Sequence, residues 1–486
     1  MPGTNMRGLA AARHATDPAA APLCVDLDGT LLHTDLLWEG LAQLLSRRPW
    51  LVPMIVIWLF RGMARLKSEI ARHVAIDPAL LPYDRRILSF LTLQRSLGRT
   101  LVLATASDRR LADAVATHLG LFDEVIASTC DLDLRGTAKA AALQSRFDRF
   151  AYLGNHRSDL PVWRQAETAL AANASPHLLA RLAGQCEVET IFPREGSRMR
   201  ALVQALRPYQ WCKNLLAFVP IVTADQLQDQ AAWLRALWVA AVFCATASAI
   251  YVLNDLTDLA ADRAHPRKRA RPFASGALPL AIGVPLVVLL LSAALAVSAR
   301  IHILPLTLLY CGVAAAYTFG LKDQPLIDVF ALAFLYLIRL YAGGVATGYA
   351  VSMWLLGFSA FLFLALALAK RTAELADAET AGRKVERRAY TVADLPVLCT
   401  MGIGSSFVSS MLLVLYVQSP EVASRYSSPL TLWALVPLLL FWQTRLWLLA
   451  TRGRMHDDPI VSAARDWVTW AVLVLVLVTI VAATRL

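Results

Sequence analysis

The residues best able to do chemistry lie in one stretch that directly follows the apolar run from Trp238 to Leu253. On a helix at about 100° per residue, the carboxylates of Asp255, Asp258 and Asp262 fall within one narrow arc. Crowding like charges there is unfavourable unless cations lie between them, and oxygen-only ligands suit Mg²⁺ in company with substrate phosphates. The stretch therefore predicts a magnesium–phosphate site, and the alternative is a solvated charged segment beside a membrane. Polar and basic residues around the carboxylates would complete the site, namely Asn254, Lys268, Arg269 and Arg271.

From Asn254 to Pro272 the chain reads N-D-x-x-D-x-x-x-D-x-x-H-P-x-K-R-x-R-P, which resembles the first signature of the UbiA superfamily of intramembrane prenyltransferases. The form of the motif is most similar to the branch that makes decaprenylphosphoryl-5-phosphoribose from a polyprenyl phosphate and phosphoribosyl pyrophosphate. The resemblance implies Mg²⁺ as cofactor and catalytic roles for Asp255 and Asp258. Aromatic, quinone-type prenyltransferases share the aspartates but usually have a different basic tail, and they remain the main alternative.

Composition divides the chain into a soluble part and a membrane part. Of the 486 residues 57% are hydrophobic, the mean hydropathy is +0.51, and long apolar segments recur only after about residue 205, which indicates an integral membrane protein. The net charge of +11 lies mostly in connections between apolar segments, so it indicates membrane orientation rather than nucleic-acid binding. Seven cysteines without a C-x-x-C pair argue against zinc and against a disulfide framework. Residues 1–22 contain no signal-peptide core and are predicted to be a disordered start.

Four short polar motifs follow apolar strands in the amino-terminal part of the chain. The first is D-x-D-G-T, with Asp26 and Asp28 directly after the strand that begins at Leu23; the others contain Thr105, Lys139 and Asp159. Strand ends of a doubly wound sheet meet at one crevice, so these side chains are expected to converge.

The order of these motifs resembles the haloacid dehalogenase superfamily, and the alternative is an unrelated α/β domain. The resemblance implies that Asp26 is the nucleophile, that Asp28 is the acid/base, and that Thr105 and Lys139 hold phosphoryl oxygens. It also implies that Asp26, Asp159 and the backbone carbonyl of Asp28 bind Mg²⁺. Asn155 stands where the family usually has another aspartate, which weakens the support of the cation and permits a catalytically silent domain.

The domain plan has four parts: the disordered start, a Rossmann-like α/β domain over 23–190 with a mainly helical cap at about 34–95, an interfacial linker over 191–212, and an all-α membrane domain over 213–486. Within the cap, the twelve apolar residues from Pro49 to Phe60 are too few to span a membrane. They either lie in the lipid interface, dock on the membrane domain, or form an ordinary buried cap helix.

About nine transmembrane helices are expected in the membrane domain. Basic residues fall mainly on one side of these segments, which places the soluble domain and the charged motifs on the cytoplasmic side of the inner membrane. The apolar segments are 213–224, 232–253, 278–299, 302–320, 326–347, 352–370, 400–418, 428–450 and 466–484.

A second half of the transferase site is expected at a cytoplasmic helix end. By resemblance to the second signature of the superfamily, Tyr317 and Lys322 bind phosphate and Asp328 holds metal. Arg339 lies about 16 Å deeper on the same helical face, where exposure to lipid would be costly, so it should pair with an anion. We expect the lipid phosphate or the ribose 5-phosphate as that anion, and the alternative is a buried acid. Lys213 and Lys370 are two further candidate phosphate contacts.

The sequence thus predicts a two-domain enzyme that transfers 5-phosphoribose to a polyprenyl phosphate and then removes the 5-phosphate with its amino-terminal domain. Three alternatives stay open: a quinone-type prenyltransferase using a polyprenyl diphosphate, a transferase whose soluble domain only docks or binds, and a transporter. Lipid length and oligomeric state do not follow from the sequence.

Overall fold

The structure is a computed structural model that describes residues 21–380, 390–420, 422, 426–455 and 458–485. It forms two compact units. The first comprises the chain up to Leu206 together with Tyr251–Leu286, and the second comprises Arg207–Ile250 together with the chain from Val287 onwards. The expected disordered start lies outside the described residues except for its last two positions.

A sheet of six parallel strands forms the centre of the first unit, in the order β3-β2-β1-β4-β5-β6. Leu23 on β1 lies opposite Leu101 on β2 and opposite Ala151 on β4. These strands are apolar runs because helices cover both faces of a parallel sheet. The strands are β1 Leu23–Val25, β2 Leu101–Asp108, β3 Glu124–Ser128, β4 Ala151–Gly154, β5 Thr168–Ala172 and β6 Val188–Phe192.

Helices follow the strands of this unit, and three of them form the cap. Asp35 caps the first cap helix by accepting a hydrogen bond from the backbone N–H of Leu37 at 2.8 Å. The cap helices are α1 Leu36–Arg47, α2 Val52–Phe60 and α3 Met63–His73. The other helices are α4 Arg85–Ser96, α5 Arg109–Leu119, α6 Thr137–Arg146, α7 Leu160–Trp163, α8 Pro176–Ala183 and α9 Arg198–Leu206.

The remaining helices carry the apolar segments. In chain order they are α10 Val219–Thr223, α11 Gln230–Thr257, α12 Leu259–Ala264, α13 Gly283–Arg300, α14 Leu304–Phe319, α15 Ile327–Thr347, α16 Met353–Thr380, α17 Leu395–Val417, α18 Leu435–Thr451, α19 Pro459–Arg465 and α20 Trp467–Arg485.

The expected fold class, which included about nine spans, is confirmed in its two-domain architecture. In the described part of the chain, seven helices are long and apolar enough to cross a membrane. They are α11, α13, α15, α16, α17, α18 and α20, some of them extended by a short 3₁₀ turn.

Two of the predicted segments form shorter helices than these seven. Segment 213–224 folds as a 3₁₀ helix, Pro208–Phe218, followed by the five-residue α10. Segment 302–320 forms α14, whose 16 residues rise about 24 Å against a hydrocarbon core of about 30 Å.

Within the second unit, the 3₁₀ segment packs closely against α15. A Cβ atom at Gly343 would lie 2.2 Å from the carbonyl oxygen of Ala217, so a larger residue there would displace the backbone. This contact brings Lys213 and Asn214 to the helix that carries Arg339.

Candidate active sites

The predicted motifs of the first unit meet at the carboxyl ends of β1 and β4. Asp26 directly follows β1, and Asp159 lies in the 3₁₀ turn that follows β4. The ammonium group of Lys139 on α6 donates to Oδ1 of Asp26 at 2.7 Å and lies 3.8 Å from Oδ1 of Asp159. Thr105 is fully buried within β2, and its hydroxyl oxygen accepts a hydrogen bond from the backbone N–H of Ser107 at 3.0 Å.

Asp28 is held between the cap and strand β2. Its Oδ1 accepts from the backbone N–H of Leu36 at 2.9 Å, and its Oδ2 accepts from the hydroxyl of Ser107 at 2.6 Å. Sequence reasoning missed Ser107, although it lies only two positions after the predicted Thr105. Burial raises the pKa of the Asp28 carboxyl to about 7, which suits a group that must give and take a proton near neutral pH.

The Asp26 carboxyl is also pushed toward neutrality. Burial raises its pKa to about 7; Lys139 opposes that rise, and Asp159 adds to it. A cation between the two carboxylates would relieve their repulsion, so this oxygen-only pair fits Mg²⁺ chemically. Asp159 is preorganised for such a role, since its Oδ2 accepts from the backbone N–H groups of Asn155 at 3.1 Å and His156 at 2.9 Å.

Asn155, the departure from the family pattern, packs against the loop that carries Asp28. A Cβ atom at Gly29 would lie 2.1 Å from the amide nitrogen of Asn155, and Gly29 has a positive φ of 73°. The backbone conformation therefore favours glycine at position 29, and a larger residue there would also displace the Asn155 amide.

The aspartate-rich segment belongs to the same unit. Asp255 and Asp262 are both buried, and Nη1 of Arg271 lies 3.1 Å from the first and 2.7 Å from the second. The sequence predicted one continuous helix through the three aspartates, but the structure breaks it. Helix α11 ends at Thr257, and Asp258 occupies the N-cap position of α12. Arg271, a predicted phosphate contact, thus lies between two of the predicted metal ligands.

The other predicted residues of this segment lie around that pair. Asp258 and Asn254 are half-buried, and the carbonyl of Asn254 accepts from the backbone N–H of Asp258 at 3.0 Å. Lys268 and Arg269 lie on an exposed 3₁₀ turn, where they are accessible to a phosphorylated ligand. Burial raises the pKa of Asp262, and Arg271 opposes the rise. In the described ranges, no group of three or more His, Cys, Asp or Glu side chains is close enough to form a metal site by itself.

An ion pair that sequence reasoning missed connects this segment to the cap. Both Nη groups of Arg263 donate to the Glu39 carboxylate, at 2.9 and 2.6 Å, and both side chains are buried. The Arg263 Nε–H donates to the carbonyl of Ala274, and the Thr34 hydroxyl donates to Glu39. Nearby, the Ser46 hydroxyl donates to the carbonyl of Thr257 at 2.9 Å. The cap helix α1 is therefore bonded to both helices that flank the break at Asp258, through Thr257 at the end of α11 and Arg263 on α12.

In the second unit, Asp328 forms a buried ion pair. One oxygen accepts from Nε of Arg371, and the other accepts from the hydroxyl of Tyr390 at 2.6 Å. Arg371 also donates to the hydroxyl of Tyr317 at 2.5 Å and to Glu374. These bonds assign Asp328 to positioning Arg371, and its role as a metal ligand stays a prediction. Lys322 lies nearby in sequence, half-buried in the 3₁₀ turn Leu321–Asp323.

A second buried acid, Asp458, brings together two predicted phosphate contacts. Its Oδ2 lies 2.7 Å from Nζ of Lys213 and 3.5 Å from Nζ of Lys370. The hydroxyl of Tyr336 donates to the same carboxylate at 3.0 Å. Burial alone would raise the pKa of Asp458, but the two ammonium groups and the hydrogen bonds hold it well below its usual range. Asp458 was not among the predicted site residues, and its position beside the lysines follows only from the fold.

Arg339 is buried on α15, as expected, and its partners in the described part of the chain are neutral. Nε donates to the Asn214 side-chain oxygen at 2.8 Å, and Nη2 donates to the Tyr310 hydroxyl at 2.7 Å. The guanidinium also lies over the rings of Tyr310 and Tyr336, at 4.9 and 5.7 Å from their centroids, and donates to the Leu335 carbonyl. These contacts solvate the charge without a buried acid.

Comparison with known proteins identifies two families along the chain. Residues 217–461 match the UbiA prenyltransferase family, and residues 23–164 match the haloacid dehalogenase-like hydrolases. The uncharacterized protein y4nM of Sinorhizobium fredii is 35% identical over 458 residues, which are 92% of this chain and 88% of that protein.

Two shorter relatives match part of the chain. The nodulation protein NoeC of Azorhizobium caulinodans is 34% identical over 54% of this chain and 86% of its own length. The decaprenyl-phosphate phosphoribosyltransferase of Mycolicibacterium smegmatis is 39% identical over 210 residues, which are 41% of this chain and 65% of that enzyme. The chain belongs to the UbiA prenyltransferase family, as an integral membrane protein that carries a haloacid dehalogenase-like domain at its amino-terminal end.

Proposed function

We propose that this protein transfers 5-phosphoribose from phosphoribosyl pyrophosphate to a polyprenyl phosphate and then removes the 5-phosphate from the lipid-linked product. One observation supports the proposal most directly: Asp26, Asp28 and the aspartate-rich segment belong to one compact unit. The ion pair of Glu39 and Arg263 connects the cap of the amino-terminal domain to that segment. The partial similarity to decaprenyl-phosphate phosphoribosyltransferases supports this choice of donor and acceptor. The distribution of basic residues supports a cytoplasmic location for both activities.

In the transfer, an oxygen of the lipid phosphate forms a bond to C1 of the ribose. The bond from C1 to the pyrophosphate oxygen breaks, and its electron pair leaves with pyrophosphate. Mg²⁺ held by Asp255, Asp258 and Asp262 would supply charge neutralisation on that leaving group. Lys268, Arg269 and Arg271 would bind the pyrophosphate, while catalysis depends mostly on positioning and on the fixed charges of the site.

The lipid phosphate and the ribose 5-phosphate need cationic partners of their own. Lys213 and Lys370 share one carboxylate, Asp458, so this cluster carries one surplus positive charge for an anionic ligand. Arg339 adds a further buried cation with neutral partners. We assign these three residues to phosphate binding.

In the second activity, an oxygen of Asp26 attacks the phosphorus of the 5-phosphate. The bond from phosphorus to the ribose oxygen breaks, and Asp28 donates its proton to that oxygen. Asp28 then takes a proton from water, whose oxygen bonds to phosphorus while the bond to Asp26 breaks, releasing inorganic phosphate. Lys139 holds the nucleophile in place through its 2.7 Å contact, and Mg²⁺ at Asp26 and Asp159 would offset the charge of the phosphate.

The test uses the full-length protein in proteoliposomes with phosphoribosyl pyrophosphate, polyprenyl phosphate and Mg²⁺. Mass spectrometry of the lipid should show the dephosphorylated product with the native chain and the 5-phosphorylated product with Asp26→Asn. Asp255→Asn should yield neither product, and Asp113→Asn, an exposed acid on α5, should behave as the native chain.

Other outcomes would overturn specific parts of the proposal. An unchanged product with Asp26→Asn would exclude the phosphatase step and favour a domain that only docks or binds. The protein could instead turn over a labelled polyprenyl diphosphate with an aromatic acceptor and show no turnover with phosphoribosyl pyrophosphate. That result would contradict phosphoribosyl transfer and support quinone-type prenylation.

A further inference from the structure

Helix α2 of the cap presents apolar side chains to the outside of the molecule. Every residue from Val52 to Phe60 is apolar, and Trp58 is the buried residue of this helix. Phe60 is 88% exposed and Trp50, just before the helix, is 69% exposed. We call the exposed group the cap patch; it consists of Trp50, Val52, Met54, Val56, Ile57, Leu59, Phe60 and Met63.

The cap patch is held in a fixed position by the helices beneath it. Trp58 packs with Leu44 of α1 and with Leu66 and Ile70 of α3. Its ring also lies 5.2 Å from the ring of His73. The cap therefore has a small core of its own, and the patch lies outside that core, which excludes the alternative of an ordinary buried cap helix.

The charges that flank the patch directly in the sequence all have one sign. Arg47, Arg48 and Arg61 flank the helix and are exposed, and no acidic residue occurs between Glu39 and Glu69 in the sequence. Surface arginines beside an apolar patch complement anionic lipid headgroups, and tryptophan and phenylalanine suit the boundary between headgroups and acyl chains. Apolar patches of this kind mark interaction sites rather than ordinary protein surface.

We infer that the cap patch inserts into the surface of an anionic lipid bilayer and anchors the cap there. The nine residues of α2 rise only about 14 Å, so the helix lies in the interface and does not cross the membrane. This anchor is separate from the seven candidate spans found among the described residues.

The anchor also bears on the substrate of the phosphatase site, a step that rests on the proposed function. The N–H of Leu36, the first residue of α1, donates to Asp28, and α1 packs against α2 through the cluster around Trp58. A cap fixed at the bilayer surface would keep the Asp28 carboxylate close to that surface. The substrate class it would favour is a phosphate monoester attached to a lipid, rather than a freely soluble one.

Photocrosslinking tests the membrane contact without relying on activity. Benzoylphenylalanine replaces Phe60 in the full-length protein, which is reconstituted in vesicles of phosphatidylcholine with or without phosphatidylglycerol. The matched control carries the same group in place of Leu93, which is also apolar and exposed but lies on α4. We expect lipid adducts at position 60, more of them with phosphatidylglycerol, and few at position 93.

Two results would overturn the membrane contact: equal lipid labelling at both positions, or labelling at position 60 that yields only protein–protein adducts. A second variant, Arg48→Gln with Arg61→Gln, should remove the preference for phosphatidylglycerol. Retention of that preference would exclude the proposed role of the arginines.

Activity then tests the step that concerns the substrate. With Leu59→Ser and Phe60→Ser combined, turnover of a soluble aryl phosphate should stay unchanged, while turnover of a lipid-linked phosphate monoester should fall about tenfold. Equal turnover of the lipid-linked substrate would exclude this step. Absence of turnover with either substrate in the native chain would instead contradict the proposed phosphatase, and the crosslinking result would stand on its own.

Discussion

Two buried carboxylates, Asp26 in the first unit and Asp458 in the second, have opposite electrostatic surroundings. Asp26 lies near Asp159 and Asp28 with Lys139 as its cationic partner, and its pKa is raised to about 7. Asp458 lies between Lys213 and Lys370, and its pKa is lowered. A surplus of acids favours a bound cation, whereas a surplus of bases favours a bound phosphate. The two clusters therefore differ in the sign of their surplus charge, which fits the metal-binding role predicted for the first and the phosphate-binding role predicted for the second.

The aspartate-rich segment has a charge balance between that of the Asp26 site and that of the Asp458 cluster. Asp255 and Asp262 share Arg271, so two acids face one base. The balance still favours a cation, and the exposed Lys268 and Arg269 add positive charge where a pyrophosphate would enter. This segment therefore has the composition expected for a ligand that carries phosphate and metal together.

The largest effect should follow from removing Asp458, the single acid beside Lys213 and Lys370. Asp458→Asn leaves Lys213 buried without a counter-ion, which should destabilise the protein by about 3–5 kcal/mol. Thermal unfolding in detergent measures the change. Asp466→Asn, which removes a more exposed acid paired with Arg445, should cost less than about 1 kcal/mol. Similar losses for the two variants would contradict the view that burial distinguishes them.

Removing Lys139, the base beside Asp26 and Asp159, should give the next largest effect. Lys139→Gln should lower kcat/KM for phosphate release by about 10²–10³-fold, because a fixed donor to the reacting group is lost. Lys139 lowers the pKa of Asp26, so its loss should move the acidic limb of the pH–rate profile to higher pH. Arg146→Gln, a change near the exposed end of the same helix, serves as the control. A lower rate with an unchanged acidic limb of the pH–rate profile would exclude the effect of Lys139 on the pKa of Asp26.

The smallest effect should come from adding an acid to the site that contains Asp26 and Asp159. Asn155→Asp keeps the size of the side chain and increases the negative charge next to Asp159. The Mg²⁺ concentration for half-maximal phosphate release should fall roughly tenfold. A higher requirement for Mg²⁺ would mean that the packing of Asn155 against Gly29 matters more than its charge.

The amino-terminal site was predictable because its residues occupy local motifs. Asp26 and Asp28 follow a buried strand, and a parallel sheet brings the carboxyl ends of neighbouring strands together whatever the loops between them. The same logic placed Asp159 and Lys139 without any knowledge of the cap. The convergence of these residues is a property of the topology.

Buried ion pairs were much harder to predict. Lys213 and Asp458 are 245 positions apart, and Arg371 and Asp328 are 43 apart. Nothing in the local sequence couples them, because packing of whole helices sets their proximity. The break in the aspartate-rich helix was also missed, because apolar composition does not reveal that α11 stops before Asp258.

The buried pair of Glu39 and Arg263 joins residues 224 positions apart. If the gene were split between the amino-terminal domain and the first span, each separate polypeptide would retain one of these charges without its counter-ion. Such a fission would carry a folding penalty in both products unless the two reassembled. The two domains are therefore expected to be inherited together, and any descendant that loses one of them should also have replaced the charged residue left behind in the other.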